Sequence, residues 1–504
     1  MVKPKKGRHS NGQLRTPNHG ILNLQFIVTH GGISHNPRVR PATLLFLTIN
    51  DEKKHLSMSD QIPLSLVAPS APSKDASLAA WLEFLEQLHP KTIELGLERV
   101  KVVADRLSLQ SSAIKYVVAG TNGKGSTCAM LEAMLSASGY RVGMYTSPHL
   151  IDFNERARIN GEQASDAQLV SAFEIVEQAR GDISLTYFEF STLAILSLFA
   201  KEKLDAWVLE IGLGGRLDAV NIVDADCAIL TSVDLDHTDW LGNTREKIGW
   251  EKAHVFRTNK PAICADPTPP ASVIEHAAAI GADLWLFGRD FNYSGDRQQW
   301  GFAGRQGRRN ALAYPALRGA NQLLNAAGAL AAIESTRHLL PVTQQAVRIG
   351  LLQAALPGRF QILPGQPTVI LDVAHNPHAA AVLEKNLGNM GFHPYTYAVF
   401  GIMGDKAVDE VIKHLAPRFD RWFCASLPTA RAISGSDLKA RVKSVLANTK
   451  VEIDPAPTAE SFDDPQAAFE AACQLAQPDD RIVVFGSFLT VAGVLPKAIR
   501  RSNG

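Results

Sequence analysis

The sequence predicts an α/β protein with two mostly parallel sheets, and three observations carry that expectation. Residues 116–127, Tyr-Val-Val-Ala-Gly-Thr-Asn-Gly-Lys-Gly-Ser-Thr, read as strand, glycine-rich turn and helix. Beyond a hinge-like Leu356-Pro357-Gly358-Arg359-Phe360, four short apolar runs alternate with helical segments. Each run is apolar nearly throughout, the pattern of a parallel sheet covered on both faces. A length of 504 residues accommodates two or three such units, each with its own core.

The first of these stretches is the most informative. Tyr116 to Ala119 is a β-branched and aromatic run expected to be a buried strand. From Cys128 to Ser138 apolar residues recur at helical spacing, and Gly139 is placed to end the helix. Between them Gly120, Gly123 and Gly125 surround Lys124. Glycines let a backbone approach a phosphate, and the amides opening the helix point at it with the helix dipole behind them. Lys124 would add a point charge, and Ser126 or Thr127 a hydroxyl for Mg²⁺. Against G-x-x-x-x-G-K-[ST], Val118 replaces the first glycine and Gly125 the hydroxyl, so a glycine-rich turn with a surface lysine is the competing reading.

The totals exclude several classes. Lys and Arg number 51 against 50 Asp and Glu, which leaves no field for nucleic acid or a membrane surface. No apolar run reaches the ~20 residues of a membrane span. Cys128, Cys227, Cys264, Cys424 and Cys473 are scattered without a C-x-x-C pair, as expected of small core residues in a reducing compartment. A soluble cytoplasmic protein is expected.

In chain order, residues 1–57 carry nine Lys or Arg against Asp51 and Glu52 only. That composition suits a transit peptide, but serine is scarce, and a non-structural extension ahead of Met58 is the preferred expectation. Residues 59–76, with Pro63, Pro69 and Pro72, read as a linker, so 1–77 is expected to lack structure. A helix begins near Ser77, with Leu78, Trp81, Leu82, Leu85 and Leu88 on one face, and His89-Pro90 ends it. The loop Lys91 to Arg99 leads to a second helix. Arg141 to Tyr145 is the next strand and runs into Ser147-Pro148-His149, at the edge where parallel sheets bind ligands; taken alone, a histidine such as His149 is more often a structural surface residue than a ligand. Thr186 to Phe190 opens the helix Ser191–Lys201, and its aromatics either stack on a flat heterocycle or, as spacing favours, fill core.

Ala206 to Glu210 is an apolar strand ending in a carboxylate, placed beside the phosphate turn for Mg²⁺. Gly212 to Ala219 approximates a dinucleotide G-x-G-x-x-G with Asp234 as ribose acid, but Leu217 stands at the third glycine. Cys227 to Val233 forms a strand whose tip carries Asp234, Asp236 and His237. Lys252 follows Ile248 by one helical turn; an inward lysine would be a nucleophile of lowered pKa, although spacing alone favours a snorkelling surface lysine. Residues 284–304 are expected to form β-hairpins, and Gly319 to Ala327 to open an alanine-rich helix. The later strands fall at 368–371, 397–400, 421–424 and 481–485, with helices near 379–389, 407–416, 436–447 and 465–476. Asp372-Val373-Ala374-His375-Asn376-Pro377-His378 follows the first of those strands at a second ligand edge.

Together these stretches resemble the folylpolyglutamate synthase and dihydrofolate synthase family of the Mur ligase superfamily, above all its bacterial bifunctional members. The likeness runs from about residue 78 to near the C-terminus. It rests on Gly120–Ser126, Ser147-Pro148-His149, Thr186–Glu189, Glu210 with the glycines to Asp218-Ala219, Asp236-His237-Thr238, Glu251-Lys252, Asn325-Ala326-Ala327, Pro357-Gly358-Arg359 and Asp372–Pro377. Asn321 stands where the family has histidine, and Glu94 where it has aspartate. The resemblance implies an ATP-binding ligase domain over 78–356 and a Rossmann-like domain over 357–504, closing over a cleft. It implies that Thr121, Asn122, Gly123, Lys124, Gly125 and Ser126 hold the phosphates of ATP, with Asn325, Arg359 and Asp372 contacting the nucleotide. Ser147, Glu210 and His237 would ligate Mg²⁺, and a carbamylated Lys252 a second Mg²⁺. Thr92, Ile93, Glu94, Leu95, Thr186, Tyr187, Phe188, Glu189, Leu217, Asp218 and Ala219 would form the dihydropteroate pocket, with Lys124, Lys252 and His375 as the catalytic set.

The implied reaction is ATP-dependent ligation of L-glutamate to dihydropteroate and to folates through an acyl phosphate, by a monomer without nucleic-acid or membrane partners. Alternatives are a folylpolyglutamate synthase alone, another Mur-type amide ligase, an NAD-dependent oxidoreductase and a nucleotide-switched binding protein. Leu217 argues against the oxidoreductase.

Overall fold

A computed structural model describes residues 70–73, 75–296, 298–449 and 456–502. The basic extension and most of the expected linker lie outside the described residues. Ser77 caps the first helix, Leu78–Gln87, by accepting the Ala80 amide at 3.3 Å. That helix buries Leu78, Trp81, Leu85 and also Phe84, while Leu82 is only partly covered.

The larger sheet has eight strands: β1 (Ile114–Ala119), β2 (Val142–Tyr145), β3 (Ala157–Ile159), β4 (Glu162–Gln163), β5 (Ala206–Glu210), β6 (Cys227–Leu230), β7 (Pro261–Cys264) and β8 (Asp283–Leu286). Their order is β4-β3-β2-β5-β1-β6-β7-β8. From β2 to β8 neighbouring strands are parallel, and β3 and β4 close one edge antiparallel. Side chains of β1 alternate between two cores, Val117 and Ala119 on one face and Tyr116 and Val118 on the other. Double coverage is why the strand reads as one apolar run.

The expected hairpins at 284–304 are only partly present. Leu284 to Leu286 belongs to β8, which pairs parallel with β7. The antiparallel unit lies further on: β9 (Asn292–Gly295), β10 (Trp300–Gly304) and β11 (Gly307–Leu312). A four-residue apolar run has no periodicity that distinguishes these cases.

The second sheet contains β12 (Gln361–Leu363), β13 (Thr368–Leu371), β14 (Thr396–Phe400), β15 (Arg421–Ala425), β16 (Thr458–Phe462) and β17 (Arg481–Phe485), in the order β12-β13-β17-β14-β15-β16. Only β12 runs antiparallel. The four inner strands are the apolar runs expected from the sequence; the edge strands are not expected from it, one having only three residues and one carrying an exposed Glu460. The helix Phe488–Ser502 is likewise not expected from it.

The phosphate-turn helix, Lys124–Ala137, begins four residues before the amphipathic pattern does. Gly123 precedes it at φ +87°, and a Cβ there would meet Asn325 Oδ1 at 2.4 Å. The helix Gln344–Gln353 lies against it so closely that a Cβ on Gly350 would sit 2.5 Å from Met134 Cα.

Candidate active site

Three strand ends and two later segments converge on one cavity of about 940 Å³. β1 delivers the phosphate turn, β2 delivers Ser147, and β5 delivers Glu210. The hinge supplies Arg359, the chain beyond it supplies Asp372 and His375, and all of these line the cavity. The turn is stapled to the end of β6. Thr231 Oγ1 donates to Asn122 O at 2.7 Å, the Asn122 amide donates to Ser232 Oγ at 3.1 Å, and the Asp234 amide donates to Thr121 Oγ1 at 3.0 Å. Thr127 donates back to Gly123 O at 3.0 Å and is fully buried, which leaves Ser126 as the hydroxyl facing the cavity.

Glu210 is buried and accepts the Ser147 amide at 3.2 Å. Burial raises its pKa, while Lys124 and then Arg359 work against that rise. Arg359 stacks over Phe488 at 4.9 Å. Asp372 accepts the amides of Ala374 at 2.8 Å and Phe360 at 2.9 Å, and burial still pushes it up to about 6. Asn325 donates to Gln322 Oε1 at 3.1 Å beside Gly123.

Lys252 faces inward. It is 5% exposed and donates to Gly120 O at 3.0 Å; burial, then the charge of Lys124, push it down to about 7. The surface reading that spacing favoured is therefore corrected. The cause is non-local: Gly215 lets the 212–219 turn pack on this helix, since a Cβ there would lie 2.7 Å from Glu251 O. That close approach, not dinucleotide binding, accounts for the glycine.

At the tip beyond β6, His237 adopts φ +51° and is pushed down to about 4, chiefly by burial. It is therefore a neutral imidazole, as a metal ligand must be. Asp236 is the hub of the cleft. Lys406 Nζ lies 2.6 Å from it, the Asn376 amide group donates at 3.0 Å, and His375 Nε2 lies 3.5 Å away. Burial works to raise the Asp236 carboxyl, but His375 and Lys406 outweigh it and hold the group well below the usual range. Asp236 and Asn376 lie in stretches the sequence marks as ligand edges, but Lys406 does not: a lone lysine in a Gly-Asp-Lys loop gives no signal of a partner 170 positions away.

Among the described residues no three His, Cys, Asp or Glu side chains form a cluster able to hold an ion unaided. Mg²⁺ commonly binds through one or two carboxylates completed by phosphate and water. A buried carboxylate, a neutral imidazole and the Ser147 hydroxyl around one cavity fit that need.

The residues assigned to dihydropteroate stand behind this cavity rather than in its wall. Of Thr92, Ile93, Glu94 and Leu95, Glu94 is tied through Arg99 to the start of the helix Tyr187–Lys201. Glu94 receives His89 at 2.8 Å, Lys91 at 2.8 Å and Arg99 at 2.7 Å, and Arg99 reaches Glu189 at 2.9 Å. Thr186 and Glu189 form a reciprocal capping box. Phe188 stacks on Tyr145 at 6.4 Å and fills the space a Gly212 side chain would need. Asp218 is buried, accepts the amides of Leu213 at 2.8 Å and Val220 at 3.0 Å, and is pushed up to about 6 by burial. Leu217 and Ala219 flank it, and Ala219 is buried.

The family model of the Mur ligase middle domain matches residues 118–333, and that of the Mur ligase glutamate ligase domain matches 358–488. The dihydrofolate synthase/folylpolyglutamate synthase of Escherichia coli is 44% identical over 440 residues, covering 87% of this chain and 100% of that protein. The Haemophilus influenzae protein of the same name is 39% identical, covering 82% and 96%. E. coli FolC in complex with DHPP and ADP superposes with TM-score 0.80 at 44% identity, over 85% of this chain and 99% of that one. A bifunctional folylpolyglutamate synthase/dihydrofolate synthase with Mn, AMPPNP and L-glutamate bound gives TM-score 0.77 at 45% identity, over 85% and 99%. This chain belongs to the dihydrofolate synthase/folylpolyglutamate synthase family of Mur ligases.

Proposed function

We infer that the protein is an ATP-dependent ligase that joins L-glutamate to dihydropteroate and to the terminal glutamate of folates. The observation that carries this reading is the convergence of Lys124, Glu210 and the hinge residue Arg359 on one cavity, in a chain of which 87% matches the whole length of E. coli dihydrofolate synthase/folylpolyglutamate synthase. We read 78–356 and 357–504 as the two domains that face each other there. A cytoplasmic monomer accords with the resemblance, and among the described residues no helix is long and apolar enough to cross a membrane.

A carboxylate is a poor electrophile. One oxygen of the acceptor carboxylate attacks the γ-phosphorus, the bond to the bridging oxygen breaks, and ADP leaves with its electron pair. The glutamate α-amine then attacks the acyl phosphate, expels inorganic phosphate and loses a proton. Phosphoryl transfer needs alignment and charge neutralisation more than covalent help. The amides of Thr121 to Ser126 hold the phosphates, while Lys124 and Arg359 neutralise charge from opposite walls. Asn325 and Asp372 orient the nucleotide, and His375 stands beside the reacting groups. Ser147, Glu210 and His237 would hold Mg²⁺, which supplies Lewis-acid neutralisation of the phosphates when bound. Lys252, neutral in part near pH 7, is suited to react with CO₂, and its carbamate would offer oxygen to a second Mg²⁺. Thr92 to Leu95, Thr186 to Glu189 and Leu217 to Ala219 would enclose the pterin. Facing domains keep water from the acyl phosphate.

The test is glutamate-dependent ADP release with dihydropteroate and, separately, with a reduced folate. Release with both is expected. Release with neither, where a cell-wall precursor supports it, would overturn the assignment.

A further inference from the structure

One cation in the cavity wall has no part in this scheme. Arg156 ends the short 3-10 helix Phe153–Arg156 and is 8% exposed. Its guanidinium carbon lies 5.3 Å from the Phe153 ring centre and 5.4 Å from that of Tyr187, so two aromatic faces hold the group. Nε donates to His149 Nδ1 at 2.9 Å. His149 Nδ1 accepts that bond and so fixes the Nε edge of the guanidinium. The surface role considered for His149 gives way to this one.

One edge of the guanidinium is thereby fixed, and the other is free. Neither η nitrogen makes a hydrogen bond or ion pair among the described residues, yet Arg156 lines the cavity with Lys124, Ser147 and Glu210. Both η nitrogens are therefore available to a ligand in the cavity, and a planar fork matches a carboxylate with two parallel N–H···O bonds. Its position selects the anion. Tyr187 beneath it opens the helix on the acceptor side, whereas Ser147 and Lys124 stand on the phosphate side. The group that must bridge those sides is the acceptor's reacting carboxylate.

We propose that Arg156 is an acceptor-positioning residue, whose η nitrogens grip the carboxylate to be phosphorylated in both ligations. The two η N–H groups hold the carboxylate in the guanidinium plane, and the second lone pair of one oxygen is left to attack the γ-phosphorus. This rests on the ligase reading above.

Equilibrium binding of dihydropteroate and of its carboxamide, measured by calorimetry on the full chain, tests it. The wild-type protein should prefer the acid by about 10- to 100-fold, the scale of a charge-assisted hydrogen bond. Arg156→Met should abolish that preference while binding the amide as before, and Arg156→Lys, which keeps charge and stem, should retain part of it. KM for ATP should stay within about twofold of wild type. Equal weakening of acid and amide would show a packing role and overturn the proposal, as would an effect confined to ATP. Absence of glutamate-dependent ADP release by the unmutated protein would instead refute the ligase reading, and the proposal with it.

Discussion

Replacing Lys252 by methionine should make the metal-free protein more stable at neutral pH while removing its activity. Lys252 has a pKa of about 7 in place of an ordinary lysine's 10.5, because burial and the Lys124 charge disfavour its ammonium. At ~1.4 kcal/mol per tenfold change, that difference costs the folded state about 5 kcal/mol when the lysine is protonated. Between pH 7 and 10.5 the unfolded chain holds the proton and the folded chain does not, so stability rises with pH across that window. At pH 7, with the folded group half titrated, the penalty is still about 4 kcal/mol. Methionine removes the penalty and forfeits the hydrogen bond to Gly120 O, worth about 1 kcal/mol. The net gain is about 3 kcal/mol at pH 7, falling to nothing or below by pH 10.5. Urea midpoints in CO₂-free buffer with EDTA, from pH 6.5 to 10, measure it. A variant no more stable than wild type at pH 7, or a gap that fails to narrow with pH, would refute the electrostatic account. Bicarbonate should stabilise the wild type and leave the variant unchanged.

Lys124→Ala should lower kcat by ~10²–10³, as loss of one charge-stabilising donor does, with single-turnover ADP formation as the readout. Asp218→Ala should depress kcat/KM for dihydropteroate ligation more than for folate ligation; equal loss would place Asp218 in the shared nucleotide site. Gly350→Ala should destabilise by roughly 1–3 kcal/mol, because the new methyl meets Met134 Cα at 2.5 Å on the phosphate-turn helix. An unchanged melting temperature would show that the two helices can part at little cost.

What the sequence makes legible is local. Glycine spacing around Lys124 and the apolar run before it need no tertiary context, and the structure has strand, turn and helix there. The helix starts early because its first turn faces the cavity, so its residues carry no amphipathic signal. Inner strands are apolar on both faces and announce themselves; β12 and β16 each have an edge open to solvent or too short to show a pattern. Lys252 is the instructive miss. Its burial depends on Gly215, 37 positions earlier, letting a turn close over the helix. Likewise Asp236 and Lys406 are 170 positions apart, and only the fold makes them a pair.

The distribution of apolar contact bears on how the cleft can open. Buried clusters before the hinge draw on residues 78–354, and those after it on residues 360–498, with Leu150 the single crossing member among the described buried residues. Leu150 lies beside Gly358 and Val373, where a Cβ on Gly358 would be 3.3 Å from it. The polar contacts that link the two sides include Asn122 with Asn376 at 3.2 Å, Asp236 with Lys406, Asn376 and His375, His378 3.2 Å from Asp234, and the Ala320 amide donating to Asn386 Oδ1 at 2.8 Å. Burying an apolar side chain is worth about 1.5–3 kcal/mol, whereas polar pairs that water can replace are worth ~1 kcal/mol or less each. If the two sides move as the proposed domains, their parting would exchange these polar partners for water and leave the buried clusters whole apart from Leu150. A ligase that must admit three substrates and then exclude water needs an interface of that kind, strong enough to register the two walls and weak enough to release them.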